Sequence, residues 1–140
     1  PAMLAAAVEA AAGEIDLLGV TVLTHLDPPA LAALDLPGEV PARVERWAAL
    51  AGEAGCSGVV CSPREAAALR RRHPRPFRLV TPGIRPAGTG GDDQRRTATP
   101  AEALAAGADL LVIGRPLTAA ADPDGALATL ERELSGGGLE

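Results

Sequence analysis

Four short apolar runs, each followed by a spelled-out helix start, constrain this chain more than any other feature. The runs are LGVTVLT (18–24), GVVCS (58–62), FRLVTP (77–82) and LLVIG (110–114). They are rich in Val, Ile and Leu and do not alternate cleanly with polar residues, the pattern of parallel strands covered on both faces. Beyond them stand Asp27-Pro28, Ser62-Pro63-Arg64-Glu65, Thr99-Pro100-Ala101-Glu102 and Asp122-Pro123. The Ser and Thr segments read as capping boxes with proline at the first helical position. The two aspartates read as simple N-caps. The spacing predicts helices over 28–35 with 41–54, then 63–73, 100–106 and 123–134, and one over 2–12 that feeds the first strand. Gly55 and Gly107 fit the left-handed position that closes a helix.

Strands alternating with helices imply a parallel sheet with right-handed crossovers. The expected order is one helix and then four strand–helix units, which is half of an eight-stranded barrel beginning on a helix, as if cut in the middle. A small open α/β sheet is the alternative. Nothing reads as a linker, so residues 1–135 form one unit and 136–140 a loose tail. Hydrophobic residues make up 47% of the chain but aromatics only 1%, Trp47 and Phe77, so the core must be built from Ala, Leu and Val. That composition suits helices packed on buried strands.

Several functions are disfavoured. A net charge of −5 argues against a nucleic-acid partner, which needs a basic face. No apolar run approaches the roughly 20 residues of a membrane span. The start, PAMLAAAVEAAAG, carries Glu9 and no basic residue, so no signal peptide is expected, although a first residue of proline means the chain need not be a complete product. Cys56 and Cys61 lie too far apart for a disulfide if the segment between them is extended, and no His or Cys stands at ligand spacing. Reduced thiols, no metal and a cytoplasmic setting are the expectation. RRRHPRPFR (70–78) reads as a helix C-terminus whose arginines complement the macrodipole, rather than as a nucleic-acid patch. The aspartates at 92, 93, 122 and 124 read as caps and turns.

In a parallel α/β fold, ligands bind at the carboxyl ends of the strands. There the chain places Thr24 and His25, Ser62, Pro82-Gly83-Ile84-Arg85, and Gly114-Arg115-Pro116. Glycine at a strand end lets a ligand approach backbone N–H groups, and an adjacent arginine offers a planar fork for phosphate oxygens. In eight-stranded barrels a phosphate often sits beyond the last two strands. Between those strands runs a long Gly-, Asp- and Arg-rich loop over 83–98, and loops of that length in compact domains are functional or disordered.

VTVLT, GVVCSPREAAALR, LVTPGIRPAG, DDQRR and TPAEALAAGADLLVIGRPLTAAADP occur in the order and spacing of bacterial orotidine 5′-phosphate decarboxylases, a family this chain resembles from about residue 18 to 130. The resemblance implies an α/β fold, the C-terminal half (strands five to eight) of a (β/α)8 barrel. It implies a homodimeric enzyme that converts orotidine 5′-phosphate to UMP and carbon dioxide without a cofactor. Residue by residue, it implies ligand-binding roles for Thr24, Arg85, Gln94, Gly114 and Arg115. Thr24 matches the threonine that contacts the nucleotide, and Gln94 the loop glutamine that reaches over the bound ligand. Gly114 and Arg115 match the phosphate-gripping pair, Arg85 the arginine of PGIRP. DDQRR then looks like part of an active-site lid, whose closure would turn remote binding energy into catalysis.

Two departures stand out. His25 replaces the serine of many relatives and reads as a partly exposed bystander. The family's Asp-x-Lys-x-x-Asp signature is missing, and all thirteen basic residues here are arginine. The family's chemistry uses a lysine to protonate C6 as carbon dioxide leaves, with aspartates orienting it and straining the substrate carboxylate. The resemblance therefore places no catalytic residue in this chain and makes an N-terminal half of the same barrel its partner. A non-catalytic half-barrel that binds phosphate or dimerises is the alternative. A related sugar-phosphate decarboxylase is disfavoured by DQRR and PGIRP.

Overall fold

The computed structural model describes residues 1–86 and 96–136. In chain order its elements are α1 (Ala2–Ala11), β1 (Leu18–Val20), α2 (Pro28–Ala33), α3 (Val40–Glu53), β2 (Gly58–Val60) and α4 (Pro63–Arg72). They continue with β3 (Arg78–Thr81), α5 (Pro100–Ala105), β4 (Leu110–Leu111), α6 (Arg115–Thr118) and α7 (Pro123–Gly136). The four strands make one sheet in the order β1-β2-β3-β4, every pair parallel. Sequence neighbours are sheet neighbours, as successive strand–helix units dictate.

Side chains alternate across a strand, so the register assigns each row of residues to a face. Gly19, Val59 and Leu79 form one row, and Val20, Val60, Val80 and Leu110 the next, on the opposite face. Val59 and Leu79 are fully buried against Val44, Ala48 and Ala51 of α3 and Ala66 and Leu69 of α4. Leu4 and Val8 of α1 and Leu31 of α2 extend this core. A second cluster joins Ile84, Ala103 of α5 and Ala108, with Leu111 and Ile113 packed on it. Fit at the helical face is tight: a side chain at Gly19 would press on Ala51 Cβ at 2.8 Å.

The opposite face is open. Val20 is 59% exposed and Leu110 52%, and Leu18 and Val112 are also exposed. The expectation of strands covered on both faces is thus met on one face only among the described residues. Helices α3, α4 and α5 all pack on the same side, which leaves the ends of the other row, Val20 and Leu110, uncovered among the described residues, while Val80 between them is buried.

Most of the expected caps form. Asp27 Oδ1 accepts from the Ala30 N–H at 3.0 Å, and Asp122 Oδ1 from the Gly125 N–H at 3.1 Å. Thr99 and Glu102 close a full capping box. The backbone and side-chain bonds to Thr99 hold the Glu102 carboxyl below the usual carboxylate range. Gly55 and Gly107 take positive φ, as expected. The second expected box does not close. Ser62 Oγ accepts from the Arg64 N–H, while Glu65 turns away to pair with Arg96. The strands are also shorter than their apolar runs, because residues beyond β1 leave the ladder for a turn in which the Leu26 N–H donates to Leu23 O. Helix α6 was not foreseen, since Gly114 and Pro116 disguise it as loop.

The arginine-rich stretch is consumed within the chain. Helix α4 ends at Arg72 with His73 as its C-cap. Arg70 donates to the carbonyls of Gly107, His73 and Phe77 and pairs with Asp109. Asp109 also accepts from Arg75 and from the Leu79 N–H, at 2.9 and 2.8 Å. Arg72 pairs with Glu45 and Arg78 with Asp16. Burial works to raise the Asp109 carboxyl, but the Leu79 N–H and the two guanidinium groups outweigh it and hold the carboxyl below its ordinary range.

Candidate functional site

Because all four strands run the same way, the segments that follow them leave from one end of the sheet. Thr24 lies just beyond β1, Ser62 beyond β2, Pro82 to Arg85 beyond β3, and Gly114 with Arg115 beyond β4. Thr24 is buried and lines a small cavity of about 80 Å³ with Val22, Leu23, His25, Val60 and Pro82. His25 shares that cavity but is exposed. Gly83 takes φ 81°, a conformation that L side chains rarely adopt, and so turns the chain off the end of β3. Arg85 follows, half-buried, with its N–H donating to Ala98 O at 2.9 Å and its Nη1 to Ile84 O. A parallel bridge between Ile84 and Ala98 ties the two sides of this region together.

Gly114 caps α6, and its carbonyl accepts from the N–H groups of Leu117 and Thr118. A side chain at Gly114 would meet no atom within 4 Å among the described residues, so their packing does not explain the glycine. Arg115 opens α6 and is exposed. Gln94, together with the rest of 87–95, lies outside the described residues. Of the five expected site residues, the structure thus places Thr24, Arg85, Gly114 and Arg115 at one end of the sheet.

One residue of this region departs from the sequence reading, which placed it with the rest of DDQRR in a lid. Arg96 is buried, with its Nη1 on Glu65 Oε1 at 2.7 Å and its Nη2 on the carbonyls of Val22 and Leu23 at 2.9 and 2.8 Å. Glu65 stood at capping-box spacing, so a local rule already accounted for it, and a partner 31 residues away leaves no local trace. Cys56 and Cys61 are free and buried. Burial, reinforced by the charge of Glu65, pushes the Cys61 thiol up to about 12, which keeps it protonated and unreactive.

A larger groove of about 470 Å³ lies at the other end of the sheet, lined by Asp16, Cys56, Ser57 and the 74–78 segment. Size does not make it the site. Its two arginines are committed, Arg78 to Asp16 and Arg75 to Asp109, and ligands of parallel α/β folds bind at the carboxyl end. No group of three or more His, Cys, Asp or Glu side chains that could hold a metal occurs among the described residues. No helix there is long and apolar enough to cross a membrane.

Residues 1–130 match the model of the Orotidine 5′-phosphate decarboxylase / HUMPS family. Over 118 residues the chain is 57% identical to the orotidine 5′-phosphate decarboxylase of Pseudomonas paraeruginosa, covering 84% of this chain and 50% of that protein. It is 54% identical over 132 residues to the one from Thermobifida fusca, covering 94% of this chain and 56% of that protein. The crystal structure of the Lactobacillus acidophilus orotidine 5′-phosphate decarboxylase superposes with a TM-score of 0.68 at 34% identity, over 84% of this chain and 48% of that one. The chain spans about half the length of the curated relatives it matches.

Proposed function

The chain belongs to the Orotidine 5′-phosphate decarboxylase / HUMPS family, and we propose that it supplies the phosphate-binding half of a decarboxylase that converts orotidine 5′-phosphate to UMP and carbon dioxide. The observation that carries this reading is the gathering of Thr24, Arg85, Gly114 and Arg115 at the carboxyl end of one parallel sheet. In eight-stranded barrels a phosphate commonly sits past the last two strands, at the N-terminus of a short extra helix. Helix α6 stands at that place in this chain. Arg115 then grips phosphate oxygens through charge-assisted bonds, and Gly114 leaves room for the phosphate to reach the backbone. Thr24 and Arg85 take the nucleotide at the ends of β1 and β3, and Gln94 completes the set.

On this reading β1 to β4 are strands five to eight of a (β/α)8 barrel, and the open row of Leu18, Val20, Leu110 and Val112 faces its interior. The partner is the N-terminal half of the same barrel. The completed enzyme is a homodimer that works in the cytoplasm in pyrimidine synthesis, without a cofactor. This chain has no lysine. Arginine cannot stand in as the proton donor at C6, because with a pKa above about 12 it gives up a proton poorly. The half-barrel therefore binds and orients. That same lack of lysine favours a second reading, a non-catalytic half-barrel that binds phosphate or pairs through its open face.

Arg115→Ala tests the site. In the completed barrel it is expected to cost about 2–5 kcal/mol of transition-state stabilisation, the range for truncating one side of a buried charge pair. Unchanged kcat/KM for orotidine 5′-phosphate would remove Arg115 from the site.

A further inference from the structure

The buried charges of this chain sit where the proposed function needs backbone precision. Glu65 and Arg96 retain only 8% and 11% of their side-chain exposure, and they meet 31 residues apart in sequence. The guanidinium fork divides its work: Nη1 is taken by the Glu65 carboxylate, and Nη2 bridges the Val22 and Leu23 carbonyls. Those carbonyls immediately precede Thr24, at the point where β1 has left the ladder. Val22 packs in the core, and the Thr21 hydroxyl donates to Val60 O at 2.7 Å. The Thr21 N–H donates to Val60 O, and the Leu26 N–H to Leu23 O. A single arginine thus satisfies two carbonyls of a short irregular stretch, and the carboxylate behind it fixes the arginine.

We propose that Arg96, clamped by Glu65, is a positioning residue: it holds the Val22–Leu23 backbone in the one conformation that presents Thr24 to the nucleotide. This rests on the reading of the carboxyl end as the nucleotide site. Arginine is the side chain for this task, because its planar fork reaches the carboxylate on one side and both carbonyls on the other, whereas lysine offers one compact ammonium. Desolvation of both charges also makes the pair all-or-none, since either partner alone would be a stranded buried charge.

The experiment uses the 15N-labelled chain and UMP as probe, and reads amide exchange together with the Thr24 amide shift. In Arg96→Met the Thr21 and Leu26 amides should exchange at least tenfold faster, while the Leu79 amide, held by Asp109 at the other end of the sheet, keeps its rate. UMP affinity should fall at least tenfold. Arg96→Lys and Glu65→Gln, milder changes, should lie between wild type and Arg96→Met in both readouts, and they decide the matter if Arg96→Met does not fold. Exchange that rises equally at Thr21, Leu26 and Leu79 would reduce Arg96 to a general stabiliser and overturn the proposal. So would a variant that binds UMP as well as wild type. A wild-type chain whose Thr24 amide does not respond to UMP would overturn the nucleotide reading and this inference with it, a failure distinct from the other two.

Discussion

At the amino end of the sheet, Arg70 and Arg75 share Asp109, Arg70 also ties down three carbonyls, and Arg78 pairs with Asp16. At the carboxyl end, Arg115 is exposed on the first turn of a short helix, beside a glycine around which a side chain would meet no atom of the described residues within 4 Å. The same residue type serves both ends of the same four strands. Where guanidinium groups close on the chain's own carboxylates and carbonyls, they fasten α4 and the start of β4 to β3. Where the chain surrounds a glycine with open space, the geometry is suited to a ligand. On the proposed reading the amino end serves stability and the carboxyl end binding, as the two faces of a barrel do in general. The buried Arg96–Glu65 pair is a guanidinium contact of the first kind that stands at the carboxyl end.

Asp109→Ala should give the largest effect on that contrast. It strands Arg70 and removes the acceptor of the Leu79 N–H, so the chain is expected to lose about 2–4 kcal/mol of stability, read as a drop in the urea midpoint at unchanged slope. UMP affinity of the molecules that remain folded should not move. A parallel loss of affinity would show that the two ends are not separable.

Gly114→Ala probes the opposite end. With φ −98° and no neighbour within 4 Å of the added Cβ, the cost to stability should stay within about 1 kcal/mol, the scale of a changed helix cap. UMP binding in the same variant should weaken at least tenfold by titration calorimetry. Equal binding by variant and wild type would mean that no phosphate approaches the backbone at this position.

A smaller effect is expected from pH. Asp109 is held below its ordinary carboxylate value, so its contribution is complete above about pH 5 and is lost as pH falls through the unfolded value near 3.9 toward the lower folded one. Stability of the wild type should decline in that window by at most about 1.4 kcal/mol per pH unit from this one group, and Asp109→Asn should flatten the decline. An identical profile in the variant would assign the acid sensitivity to other carboxylates.

Much of this molecule can be read from its residues, for reasons that are local. Asp27, Thr99 and Asp122 cap helices because a side-chain oxygen needs only the next turn's N–H groups. The parallel sheet follows from strand–helix alternation, and Gly114-Arg115 stands out because glycine at a strand end beside a planar guanidinium suits a phosphate. What escaped is long-range. Glu65 satisfies a capping rule on paper, yet it spends its charge on Arg96, which the sequence reading placed with DDQRR in a lid. The open face escaped as well, since Val20 and Leu110 are as apolar as buried residues and only the placement of the helices shows that nothing among the described residues covers them.

The central claim is that this chain binds and orients a nucleotide whose chemistry needs a lysine the chain does not contain. The direct measurement follows the absorbance of orotidine 5′-phosphate with the purified chain alone, then after adding a separately made segment that carries Asp-x-Lys-x-x-Asp. The expected result is no turnover by the chain alone and turnover on mixing, abolished by Arg115→Ala. Turnover by the chain alone would contradict the account, because the chain has no lysine to deliver the proton at C6.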